Sequence, residues 1–125
     1  MRHFVQYHNF DLMGRYRSSP GKYGIVTDKF FTSLVGGTVW LVMGKEQPRR
    51  YFLCSSFVVD KVERGNAGRF LNRASGSTGK DFDIEIGNEP WFPELLKTTG
   101  NFGLGLLPIS CRAIIEGLQK VSSSS

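Results

Sequence analysis

Three consecutive side chains near the start of the chain, Tyr7, His8 and Asn9, all form hydrogen bonds, and two of them are flat. They close a short β-prone run from His3. Such a group at the mouth of a barrel could stack on a planar ligand and read its edge. Turn chemistry, with Asn9 making an Asx-turn, is the plainer role for the same residues. Trp40 lies inside an apolar run, where it either packs in the core or lines a pocket. Trp91 and Phe92, held between Pro90 and Pro93, form a rigid aromatic pair suited to a pocket wall or to a hydrophobic plug under a loop. Arg49 and Arg50 follow a turn, where two guanidinium groups could clamp phosphates. They could equally be charges that guard a sheet edge.

Asp81, Asp83 and Glu85 alternate with Phe82, Ile84 and Ile86. Period two puts the acids on one face of a strand, a spacing that would suit a metal or acid–base work. It is also the ordinary wet face of a half-buried strand. Cys54 and Cys111 could each pair with His3 or His8 as a nucleophilic dyad, but no spacing brings them together, and both read as small buried hydrophobes. The chain has no P-loop, dinucleotide fingerprint, nucleophile elbow or zinc spacing. No catalytic residue, cofactor or metal is expected from it.

The elements that position these residues are short. His3–Tyr7 reads as a strand. Residues 10–24 are irregular and rich in turn formers, and 25–34 could hold a short helix carrying Phe30, Phe31 and Leu34. Gly36 and Gly37 make a tight turn into Thr38–Met43, whose nearly unbroken apolar run predicts a central strand covered on both faces. Gly44–Pro48 is a hairpin loop. Arg50–Glu63 is too long for one straight strand, and Cys54-Ser55-Ser56 is the place for a bulge or bend of the kind that closes small barrels. Residues 64–80 read as an exposed loop or loose hairpin, 81–86 as the acidic strand, and 91–97 as a short helix with Leu95 and Leu96 inward. Phe102, Leu104 and Leu106 alternate with Gly103 and Gly105 as a strand that something approaches closely. Ser110 caps a final helix from Cys111 to Lys120 with Ile114, Ile115 and Leu118 inward. The fold class expected is mainly β with peripheral helices (α+β), a small curved and mostly antiparallel barrel. Residues 1–121 form its single domain, and 122–125 form a disordered serine tail.

With 125 residues, 40% hydrophobic, the chain suffices for one domain and not for two independently cored ones. Ten Phe, four Tyr and two Trp make that core rich in rings, while 15 Gly argue against a helix bundle. The net charge of +5 conceals a polarity: residues 1–29 carry +3 and 45–73 carry +4, against −3 over 74–100. This is either ordinary solvated surface or a polyanion-facing side built by residues 1–73. No apolar run approaches the roughly 18 residues of a membrane span. The first ten residues lack the apolar core of an export signal, which with two thiols points to the cytoplasm.

The order of features resembles the PUA-like superfamily, and within it the EVE and ASCH types of domain. The resemblance is carried by Leu34–Glu63, where a glycine turn enters an aromatic-bearing strand and a longer strand with a basic start follows. It is carried also by 101–120, where an apolar strand steps through Leu107-Pro108-Ile109-Ser110 into a last helix. Gly37 stands where an Asp is usual, and the strand after Trp40 lacks the usual Tyr-Ser ending. The resemblance implies a non-catalytic nucleic-acid-binding module, for RNA or modified DNA, that takes a modified base into an aromatic pocket. It would put Tyr7, His8 and Asn9 at the pocket entrance, Trp40 in the wall, Ser55 and Ser56 at the bend, and Trp91 and Phe102 as stacking partners. Arg49, Arg50, Arg69 and Arg73 would contact phosphates. Two other readings of the residues remain: a small-molecule-binding barrel, and a metal-dependent nuclease or hydrolase built on Asp81, Asp83 or Glu85.

Overall fold

A computed structural model of the chain describes residues 2–9, 23–27, 33–46, 48–63, 72–103 and 105–123. Eight strands lie among them: β1 (His3–Asn9), β2 (Tyr23–Thr27), β3 (Thr38–Lys45), β4 (Arg50–Val58), β5 (Lys61–Glu63), β6 (Asn72–Gly76), β7 (Thr78–Glu85) and β8 (Leu107–Ile109). Two helices complete the set, α1 (Phe92–Thr98) and α2 (Arg112–Ser123). Five strands form a mixed sheet in the order β7-β4-β3-β1-β8, and three form a second sheet in the order β2-β6-β5. The only parallel pair in the larger sheet is β1 with β3, with Val5 opposite Trp40 and Tyr7 opposite Val42.

β3 is buried from Thr38 to Gly44, as its apolar run requires. Its alternate residues serve two cores. Trp40 and Val42 join Val5, Leu53, Phe82 and Ile86 under the helices, which contribute Phe92, Leu95, Ile114 and Leu118. Val39, Leu41 and Met43 face the second sheet and meet Ile25 and Ala74. The molecule is thus three layers: helices, large sheet, small sheet.

The two sheets are one piece along one side. β4 continues through Val59 and Asp60 into β5, and β6 continues through Ser77 into β7, so a single hairpin spans both sheets. Asp60 pins the corner. Its amide donates to the Ser75 carbonyl at 2.9 Å, and its carboxylate accepts from the Ser77 amide at 3.1 Å and the Ser77 hydroxyl at 3.3 Å. Gly76 has no room for a side chain, because a Cβ there would strike the Val58 carbonyl oxygen. The register also shifts between Leu53 and Ser55, where a bulge was expected. No pairing among the described residues closes the two sheets into a barrel.

Several expectations shift. Of the stretch read as an exposed loop or loose hairpin, 72–76 and 78–80 are strand, with Asn72–Gly76 held between β2 and β5 despite its polar sequence and antiparallel to β5 as a hairpin requires. The last strand among the described residues is Leu107–Ile109; of the stretch expected as a strand, Phe102 and Gly103 lie in a turn, Gly105 and Leu106 are not strand, and Leu104 lies outside the described residues. The final helix runs through Ser123, two residues into the expected tail, and the Ser122 and Ser123 hydroxyls donate to the Gln119 and Lys120 carbonyls. Of the possible helix over 25–34, residues 28–32 lie outside the described residues, and 25–27 belong to β2 instead.

Candidate aromatic and basic site

The helix-facing side of the large sheet carries rings along its length. Near one end, Tyr7 of β1 stacks on Phe102, with centroids 4.7 Å apart and planes 14° from parallel. Tyr51, next to β3 at Gly44, tilts against both, 6.2 Å from Tyr7 and 5.6 Å from Phe102. Phe92 of α1 closes the group at 4.9 Å from Tyr51. Tyr7 and Tyr51 are half-buried, and Phe102 is only 8% exposed. Offset and tilted ring pairs of this kind add about 0.5–1.5 kcal/mol each beyond burial.

Gly44 makes the stack possible. A Cβ at Gly44 would overlap the Tyr7 hydroxyl and come within 2.8 Å of the Arg49 Cδ. The absent side chain lets the phenol and the arginine stem converge over the strand. Arg49, from the turn after β3, therefore stands at the edge of the aromatic group. Its neighbour Arg50 is committed elsewhere: its guanidinium donates to Glu85 at 2.6 and 3.0 Å and to Glu46 at 3.3 Å. The two carboxylates hold Arg50 firmly charged, and the Arg50 hydrogen bonds draw the Glu85 carboxyl below its usual range.

Phe102 reaches Tyr7 from an unusual turn. Gly100, Asn101 and Phe102 all have positive φ, at 58°, 57° and 64°. Glycine accepts this freely and asparagine tolerates it, whereas a bulky residue such as Phe102 incurs roughly 1–2 kcal/mol there. The turn is fastened to the end of α1. The buried Thr99 hydroxyl donates to the Leu95 carbonyl at 2.8 Å and accepts from the Phe102 amide at 3.2 Å, and the Asn101 amide donates to the Leu96 carbonyl at 2.8 Å.

Elsewhere on this face Trp40 has a different partner. Its indole Nε1 donates to His3 Nδ1 at 3.0 Å, both residues being buried. An accepting Nδ1 fixes the imidazole as neutral with its proton on Nε2. Burial pushes the His3 pKa below 6.5, in agreement.

The residues singled out in the sequence divide accordingly. Tyr7, Phe102 and Arg49 come together. Trp40 pairs with His3, and Ser56 lies opposite it in register; Ser55 lies opposite Leu41, whose side chain faces the other core. Trp91 packs its ring against Gly117 of α2, where a Cβ would overlap it, and contacts Phe92 edge-on. It braces the helices. Arg73 is exposed on the second sheet, opposite Glu63. His8 and Asn9 continue β1, but their side chains lie outside the described residues, as does all of Arg69. Asp83 meets Lys45 at 3.7 Å, and Glu85 meets Arg50. Among the described residues no group of three or more His, Cys, Asp or Glu could hold a metal, and no helix is long and apolar enough to cross a membrane. Cys54 and Cys111 are not disulfide-bonded, one being buried and one half-buried.

In the sequence reading Tyr51 has no role, Gly44 is part of the hairpin loop rather than of β3, and His3 is weighed only as a partner for a cysteine. Tyr51 could have been found by alternation, since it shares the parity of Leu53 and opposes Phe52 in a strand read only as apolar. No family model, curated protein or solved structure matches this chain, so the site stands on its own geometry.

Proposed function

We propose that this protein binds single-stranded or locally opened nucleic acid, taking an unpaired base against the Tyr7–Tyr51 rings while Arg49 meets the adjacent phosphate, without catalysis of its own. The observation that carries this reading is the aromatic group, half-buried at Tyr7 and Tyr51, with an arginine drawn against it over Gly44. Base–aromatic stacking contributes about 1–3 kcal/mol per base, and a neighbouring cation adds salt-dependent affinity. The resemblance of residues 34–63 and 101–120 to EVE-type domains accords with it and extends it to a modified base. The closed PUA-like barrel belongs to the same proposal, with the two sheets as two of its walls.

Fluorescence polarisation against labelled RNA, single-stranded DNA and duplexes carrying modified bases, over a range of salt, tests the reading. Binding that weakens with salt and falls at least tenfold in Tyr7→Ala is expected. Binding that ignores salt, or is unchanged in Tyr7→Ala, overturns it. Retention of a free nucleoside in native mass spectrometry, with no oligonucleotide affinity, would favour a small-molecule pocket instead.

A further inference from the structure

We infer that Phe102 is a displaceable plug: its ring occupies, in the free protein, the place on Tyr7 that an incoming base takes. This rests on the base-binding reading above and adds its regulation. The Phe102 ring lies nearly parallel to Tyr7 at 4.7 Å, much as a stacked base would lie. The backbone that puts it there is held in a left-handed turn across Gly100, Asn101 and Phe102. Phe102 is bulky and disfavours the conformation, so leaving the stack releases strain as it gives up ring contact. Thr99 and the α1 carbonyls hold the turn at its start, and the Gly103 amide closes it by donating to the Gly100 carbonyl at 3.1 Å; Gly103 and Gly105 (φ 73°) then supply the backbone freedom for the ring to swing out once that single bond opens. A planar ligand replaces the stacking that Phe102 forfeits, and the relieved strain favours the exchange. The affinity seen in the free protein is then reduced by the fraction of molecules in which the plug is out.

Two substitutions pull this equilibrium in opposite directions. Phe102→Gly empties the place on Tyr7 and is expected to bind a labelled oligothymidylate about tenfold more tightly than the unaltered chain, as it should if the open state is on the order of a tenth populated. Asn101→Gly relieves strain with the ring in place and is expected to bind more weakly. Circular dichroism and a thermal melt verify that each variant is folded. A 4-fluorophenylalanine at position 102, followed by 19F NMR, reports the ring directly, and its resonance should move on adding saturating oligothymidylate. Weaker binding by Phe102→Gly, or an unmoved 19F resonance at saturation, overturns the plug while leaving the base site intact. Undiminished binding by Tyr7→Ala overturns the site itself.

Discussion

The two faces of the large sheet are built by opposite means. The face toward the small sheet is mostly aliphatic, with Leu41, Val39, Ile25 and Ala74 at 2% exposure or less, and the atoms that exclude a Cβ at Gly76 and Gly79 include the backbone carbonyl oxygens of Val58 and Ser56. The face toward the helices holds more rings among its aliphatic side chains, contains a buried polar pair, and is met by a strained turn; there the atoms that exclude a Cβ at Gly44 and Gly117 belong to side chains, the Tyr7 phenol and the Trp91 indole. Close backbone packing leaves a core no slack. Rings on separate elements, joined through stacking and single hydrogen bonds, leave room for exchange. The difference locates where this molecule holds still and where it can open.

The sharpest way to break the contrast is at its tight side. Gly76→Ala drives a methyl group into the Val58 carbonyl and should cost about 3 kcal/mol or prevent folding, read as urea unfolding. On the aromatic side, Trp40→Phe keeps a ring but leaves His3 Nδ1 buried without its donor. A loss of about 2 kcal/mol is expected. A loss as large as that of Gly76→Ala would erase the asymmetry.

The same pair gives the aromatic side a dependence on pH. Folded His3 has a pKa below 6.5 and accepts a proton less readily than in the unfolded chain. Its contribution is whole above pH 6.5 and is lost as pH falls from there toward the folded pKa. Unfolding midpoints measured downward from pH 7 should decline over this range, and His3→Leu should flatten that part of the decline. An unaltered profile in His3→Leu assigns the slope to other groups.

Two arginines supply the smaller effects. Arg49→Gln should reduce the slope of log affinity against log salt by about 0.7, the share of one phosphate on a single strand. Arg50→Gln should leave both that slope and the unfolding midpoint within error, because an exposed ion pair with Glu46 and Glu85 contributes little. If the two variants lose affinity alike, the phosphate path runs along the whole turn.

Much of the fold was legible where burial wrote itself into side-chain type. The unbroken run Thr38–Met43 announced a strand with two covered faces, and the acid–apolar alternation of 81–86 announced one with a single buried face: Phe82 and Ile86 are buried while Asp81 and Asp83 are exposed. The strand Asn72–Gly76 was illegible because its order comes from neighbours on both sides, not from its own residues. The pairing of β1 with β3 is set by contacts across more than thirty residues, which no local pattern records. At the site, Tyr7, Arg49 and Phe102 could be named but not joined, because their meeting depends on the missing side chain of Gly44 and on three left-handed residues.

The hairpin that passes from one sheet into the other has a consequence for how the molecule comes apart. β4–β5 and β6–β7 share every cross-strand bond on that side, and Asp60 ties the bend to Ser75 and Ser77. The small sheet therefore cannot peel away as a separate unit. Amide protons of β4 and β6 should exchange with deuterium through one shared opening, slower than those of the turn at 100–103, so that the most protected stretch and the most exchangeable one bracket the same central strands.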